Sequence, residues 1–184
     1  MFIQSESTPN PATLKFLPGQ TVMPHGTLDI RDRDSAGRSP LANALFSIDG
    51  VSGVFLGPDF ISVTKGDGEW QTLKPMVLGA ILEHYTSGAP MLRDPEGADI
   101  DDEFFDAKDA GTVETIKELL ESRVRPAVAG DGGDITFRGF RDGVVFLEMK
   151  GSCSGCPSST ATLKNGVQNL LKHFVPEVLA VEQI

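Results

Sequence analysis

The chain has 184 residues, 40% of them hydrophobic and 23% charged, which is enough apolar material for one large soluble domain or two small ones. Its formal net charge of −10 argues against a nucleic-acid partner, because a phosphate-backbone interface needs clustered Lys and Arg. No apolar run reaches the length of a bilayer span, so no membrane partner is expected.

The opening residues, Met1-Phe2-Ile3-Gln4-Ser5-Glu6, carry neither the basic and apolar blocks of a signal peptide nor the Arg-rich character of a transit peptide. They predict a cytoplasmic protein of bacterial type, in a reducing compartment. Pro9-Asn10-Pro11 then leads into a strand over Ala12 to Phe16, closed by Pro18-Gly19. Arg31-Asp32-Arg33-Asp34 reads as a solvated loop. Ser39 caps a helix with Pro40 at its first position, and Leu41, Ala44, Leu45 and Ile48 follow helical spacing up to Gly50. Val51 to Leu56 and Phe60 to Thr64 are strands joined by the turn sequence Gly57-Pro58-Asp59. A second helix places Leu73, Val77, Ala80, Ile81 and His84 on one side, with its start held within a turn of Pro75 because proline disrupts a helix interior. Trp70 reads as a core or domain-surface anchor.

Charge then concentrates. Residues 91–111 hold 2 basic and 8 acidic side chains, so −6 of the −10 comes from this stretch. Together with Pro90, Pro95 and Gly97 this makes Asp99 to Asp109 an extended, self-repelling linker. The expected division is therefore a first domain at 1–90, an acidic linker at 91–111 and a second domain at 112–184. Phe104 and Phe105 are out of keeping with a spacer, and a short local contact is the expectation for them.

In the second domain, Thr112 caps a helix with Val113, Ile116, Leu120 and Val124 on its apolar face, which Pro126 ends or kinks. Gly130-Asp131-Gly132-Gly133 is a tight turn; it lacks the GxxxxGK[ST] spacing of a phosphate loop. Asp131 and Asp134 are explained by turn capping. Ile135 to Phe140 and Val144 to Met149 form a hairpin across Arg141-Asp142-Gly143. After the loop 151–156, Ser158 or Ser159 caps a helix that buries Leu163, Val167, Leu170, Leu171 and Phe174. Pro176 stops it, and Val178 to Val181 can add a last strand. Both domains are α+β, the second with the order α-β-β-α and a possible closing β.

The only two cysteines are Cys153 and Cys156, at the junction between that hairpin and that helix. A two-residue gap lets both thiolates face one centre, as metal, cluster and dithiol redox sites all require. The helix start favours anionic sulfur, and no carboxylate lies between Glu148 and Glu177. Three readings compete: a cluster bridged between two chains, a thioredoxin-like dithiol, and a zinc shared by a dimer. A four-ligand sphere made of cysteine alone needs two chains. The antiparallel hairpin flanking the loop, in place of a βαβ unit, speaks against the dithiol. His25, His84 and His173 are scattered and read as structural.

Gly130-Asp131-Gly132-Gly133-Asp134-Ile135, followed by Gly151-Ser152-Cys153-Ser154-Gly155-Cys156-Pro157-Ser158-Ser159, resembles the NifU C-terminal domain of Nfu-type iron–sulfur scaffold and carrier proteins. Thr8-Pro9-Asn10-Pro11-Ala12-Thr13-Leu14-Lys15-Phe16 and Glu69-Trp70-Gln71-Thr72-Leu73-Lys74-Pro75 resemble the Nfu N-terminal domain. The resemblance covers nearly the whole chain outside the acidic linker. It implies a [4Fe–4S] cluster bound by Cys153 and Cys156 of each of two subunits and handed to apo-proteins. It further implies a carrier and not an enzyme, a dimer or higher homo-oligomer when loaded, with cluster donors and apo iron–sulfur clients as partners. The alternative from a different class is a thiol–disulfide redox module using the same pair. The first domain shows no catalytic constellation, so residues 112–184 alone are expected to bind the cluster.

Overall fold

A computed structural model describes residues 1–94, 103–152 and 157–184. The chain is α+β and forms two compact units, Met1–Asp99 and Ile100–Ile184. No helix among the described residues is long and apolar enough to cross a membrane.

The first unit is an antiparallel sheet with two helices. Its strands are β1 (Gln4–Ser7), β2 (Thr13–Leu17), β3 (Leu28–Ile30), β4 (Val51–Leu56) and β5 (Ile61–Lys65), ordered β1-β2-β5-β4-β3. Helix α1 (Pro40–Phe46) starts as its sequence predicts, with the Ser39 hydroxyl accepting from the Ala42 N–H at 3.3 Å. Its buried side is Leu41, Ala42, Leu45 and Phe46; Ala44, expected to face inward, is exposed. Helix α2 (Trp70–Ser87) buries Leu73, Val77, Ile81 and His84. It begins well over a turn before Pro75, further back than the sequence reading allowed. Proline there deprives only the Gln71 carbonyl of its partner, and Gln71 is exposed to water. The Trp70 indole N–H donates to the Pro11 carbonyl at 3.2 Å, tying the start of α2 to the turn before β2.

The second unit carries β6 (Phe104–Phe105), α3 (Ala110–Leu119), α4 (Arg125–Gly130), β7 (Gly133–Arg141), β8 (Val144–Gly151), α5 (Pro157–Phe174) and β9 (Ala180–Gln183), with sheet order β6-β7-β8-β9. The hairpin between β7 and β8 closes through Asp142 (φ 52°) and Gly143 (φ 80°), the left-handed pair of a two-residue turn. β9 then returns parallel to β8, so α5 is the crossover of a βαβ unit, which the hairpin reading did not include. Ile135, Phe137, Val145, Leu147 and Met149 from the hairpin meet Val113, Ile116, Leu120, Val167 and Leu171 from the helices in one core.

Three local expectations change. Pro126 does not end the helical run: a π turn over Leu120–Val124 joins α3 to α4, and the proline falls in the first turn of α4. Phe174 is 45% exposed, with the Arg123 guanidinium over its ring at 5.0 Å, and Val175 fills the core position instead. The described part of the acidic segment from Glu103 onward makes specific contacts. Phe104 lies across Gly139, where a Cβ would meet its ring at 2.4 Å, and packs 5.2 Å from the Phe146 ring; Lys117 pairs with Glu103 at 2.8 Å. Local aromatic packing and one neutralised carboxylate outweigh the repulsion. Pro95, Gly97 and Asp99 lie outside the described residues.

His84 supplies a pH dependence. Burial pushes its imidazole below the ordinary value. The unfolded chain therefore takes up the proton first on acidification, so stability present above about pH 6.5 is lost as pH falls through that range. Trp70 is the only tryptophan, so its fluorescence follows the first unit. The urea midpoint read this way should drop between about pH 7.5 and pH 5.5, and His84→Gln should flatten that dependence. Equal pH dependence in both proteins would remove His84 as its source.

Candidate functional site

Cys153 and Cys156, with Ser154 and Gly155 between them, lie outside the described residues, and the structure describes what holds the two ends of their loop. On one side β8 ends at Gly151, paired with Gly133 at the start of β7. Ser152 follows and is 1% exposed. Its N–H donates to the Gly132 carbonyl at 3.2 Å, and its hydroxyl donates to the Asp131 carbonyl. Both acceptors sit in the turn between α4 and β7. That turn is bonded back onto α4, with Asp131 N–H to Val128 C=O and Gly132 N–H to Ala129 C=O, each at 3.0 Å. The Gly130–Gly133 run is thus a turn, as its sequence reads, and also the anchor for the strand end that leads into the cysteines.

On the other side α5 begins at Pro157, so Ser158 and Ser159 fall within its first turn and not ahead of it. The helix is 18 residues long and has no acidic residue in its first turn. The dipole of a helix favours negative charge at its N-terminal end. A thiolate, or a thiolate-ligated cluster, gains from this placement.

Asp134 corrects a sequence expectation. It does not serve only as a turn cap: its carboxylate accepts from Arg125 Nε and Nη2, each at 2.9 Å, and from the Ile135 N–H at 2.9 Å. Glu121 accepts from Arg125 Nη1 at 2.6 Å. Hydrogen bonds to Asp134, the largest cause, hold the guanidinium above its ordinary value against the opposing effect of burial. This pair joins the start of α4 to the start of β7 around the turn that Ser152 grips. Nothing in the sequence separated Asp134 from an ordinary turn aspartate; only the fold brings Arg125, nine residues earlier, beside it. Lys150, in cross-strand register with Asp134, is buried too.

The histidines are not part of this arrangement. His84 lies in the first unit's core, and His173 meets the Phe174 ring edge-on at 4.9 Å. Among the described residues no group of three or more His, Cys, Asp or Glu could hold a metal ion.

The family described as "Scaffold protein Nfu/NifU N terminal" matches residues 3–88, and the one described as "NifU-like domain" matches residues 116–182. The chain belongs to the Nfu family of scaffold proteins. Among its relatives, NifU-like protein 4, mitochondrial, of Arabidopsis thaliana is 51% identical over 186 residues, covering 100% of this chain and 66% of the relative. The NFU1 iron-sulfur cluster scaffold homolog, mitochondrial, of Drosophila sechellia is 52% identical, with 100% and 65% covered. Its human namesake is 48% identical over 188 residues, with 100% and 72% covered. This Nfu chain thus spans about two thirds of the length of these relatives. Their names overturn the cytoplasmic expectation drawn from Met1 to Glu6, since each is called mitochondrial. The physical reason is that an address is carried by a leader outside the folded domains, so the residues beginning this Nfu chain do not report it.

Asp134→Asn should keep the fold but remove the buried charge from a part-buried, bidentate pair. The expected loss is about 1.5–3 kcal/mol of stability, the range for hydrogen bonds to charged groups. Hydrogen exchange of β7 and β8 amides would show it as reduced protection. Unchanged protection would mean that the pair does not brace the turn.

Proposed function

We propose that this Nfu chain is an iron–sulfur carrier that binds a [4Fe–4S] cluster between two copies, through Cys153 and Cys156 of each, and passes it to apo-proteins. What supports the reading is the donor set and its setting. Two thiolates are tethered between a pinned strand end at Ser152 and the start of an 18-residue helix, in a family of scaffold proteins. Soft thiolates suit iron–sulfur cargo, and the helix end suits its negative charge. Two thiolates are half of the usual four, so the second half comes from another copy.

An incomplete ligand set per chain also favours release. A client thiolate binds an iron as one carrier cysteine leaves it, so each exchange makes one iron–sulfur bond and breaks one, with no change in oxidation state. A site enclosed by four cysteines of a single chain would open less readily. The chain's partners on this reading are a cluster donor, a second copy and an apo client, and it catalyses no reaction of its own.

Anaerobic reconstitution of the full chain should give about two irons per chain and a cluster-dependent dimer or higher oligomer. Cys156→Ser should lose the cluster and the association together, read by iron content and sedimentation. A Cys156→Ser protein that still associates around a full cluster would contradict the reading.

A further inference from the structure

Phe104 belongs to the acidic stretch, whose charges favour solvent, yet its ring is seated at the edge of the second sheet. The place it occupies is shaped for an aromatic ring. A Cβ on Gly139 would run into that ring, so the notch exists only because position 139 has no side chain. The Phe146 ring lies 5.2 Å away, and the Arg141 guanidinium sits over the Phe104 ring at 5.3 Å. One residue back, both carboxylate oxygens of Glu103 accept from Lys117 Nζ, at 2.8 and 2.9 Å. The notch and Lys117 thus read two features of an extended chain: an aromatic residue and a carboxylate directly before it. Phe105 is 41% exposed, so one ring alone fills the notch. The resident segment is lightly held. β6 pairs with only Gly139 and Phe140 of the nine residues of β7, and its ion pair is open to water at Lys117, where salt screens it. A two-residue edge strand held in this way exchanges with its undocked state.

We propose that the Gly139 notch is a docking site for an extended segment of a partner protein, one with an aromatic residue directly after a carboxylate. Glu103 and Phe104 of the chain itself are the resident occupant that such a segment displaces. The occupant's chemistry follows from charge complementarity: Lys117 and Arg141 are both cationic, and both already engage an acidic, aromatic segment. Strand addition at a sheet edge supplies backbone hydrogen bonds, and the notch supplies the selection of side chain. This site lies apart from the cysteines in sequence and does not rest on the carrier reading, so the apo protein suffices to test it.

The test titrates the isotope-labelled full-length apo chain with an acetylated peptide of residues 103–109 and follows the Gly139 and Phe140 amides by NMR. In Phe104→Ala, whose notch is vacant, these amides should shift saturably. In the parent the resident ring competes, and a notch open about one tenth of the time binds about tenfold more weakly. Glu103→Lys keeps the ring but repels Lys117, so its affinity should fall between the two. Adding Gly139→Ala to Phe104→Ala, where no ring remains for the new Cβ to strike, should abolish the shifts. No saturable shift at these amides in either Phe104→Ala or Glu103→Lys overturns the proposal. Binding that survives Gly139→Ala, or that is as tight in the parent as in Phe104→Ala, overturns it equally.

Discussion

Two cysteines in one chain leave a four-ligand sphere half complete, and on the carrier reading this shortfall governs both loading and release. The fold surrounds that incomplete set with firm supports. β8 pairs antiparallel with β7 as far as Gly151 and parallel with β9 over Val144–Leu147, so the end that leads into the cysteines is held from the β7 side. Its end is then fastened by Ser152 to the α4–β7 turn, and the chain resumes as an 18-residue helix. Lability is thus placed in the ligand count and not in the scaffold that presents the ligands.

Electrostatics points the same way. The chain is strongly acidic overall, yet no carboxylate lies between Glu148 and Glu177, and two acidic side chains of the β7–β8 hairpin are paired. Asp134 is bound by Arg125, and Arg138 pairs with Glu148 across the hairpin. Much of the excess negative charge falls in the segment between the two units, away in sequence from a cargo that is itself anionic. That distribution lets an acidic protein offer a locally favourable place to thiolate and sulfide.

Periodicity and punctuation made most of the architecture legible. Ser39-Pro40 marked the start of α1, Asp142-Gly143 marked the hairpin, and the apolar spacing of Val167 and Leu171 marked the buried side of α5. The elements that escaped have little signal of their own. β1 is the polar run Gln4–Ser7, and β3 is three residues long, so both exist through pairing with neighbours. β6 was hidden by the charges around Phe104 and Phe105, and no local pattern encodes the packing of Phe104 on Gly139. Pro75 was expected within the first turn of its helix and Pro126 to end or kink its own, but an exposed carbonyl partner at one and a π turn before the other accommodate them. At the site, the expectation for Cys153 and Cys156 rests on their spacing alone, since both lie outside the described residues, whereas Ser152 and the Arg125–Asp134 clamp depend on contacts that close only when α4, β7 and β8 meet. The compartment was misjudged because folded residues carry no address.

The most direct measurement is native mass spectrometry of the anaerobically reconstituted protein, without glutathione or other small thiols that could stand in as ligands. The account predicts two chains with one four-iron cluster as the smallest loaded species, and single chains that carry no intact cluster. A single chain stably holding a whole cluster would contradict it.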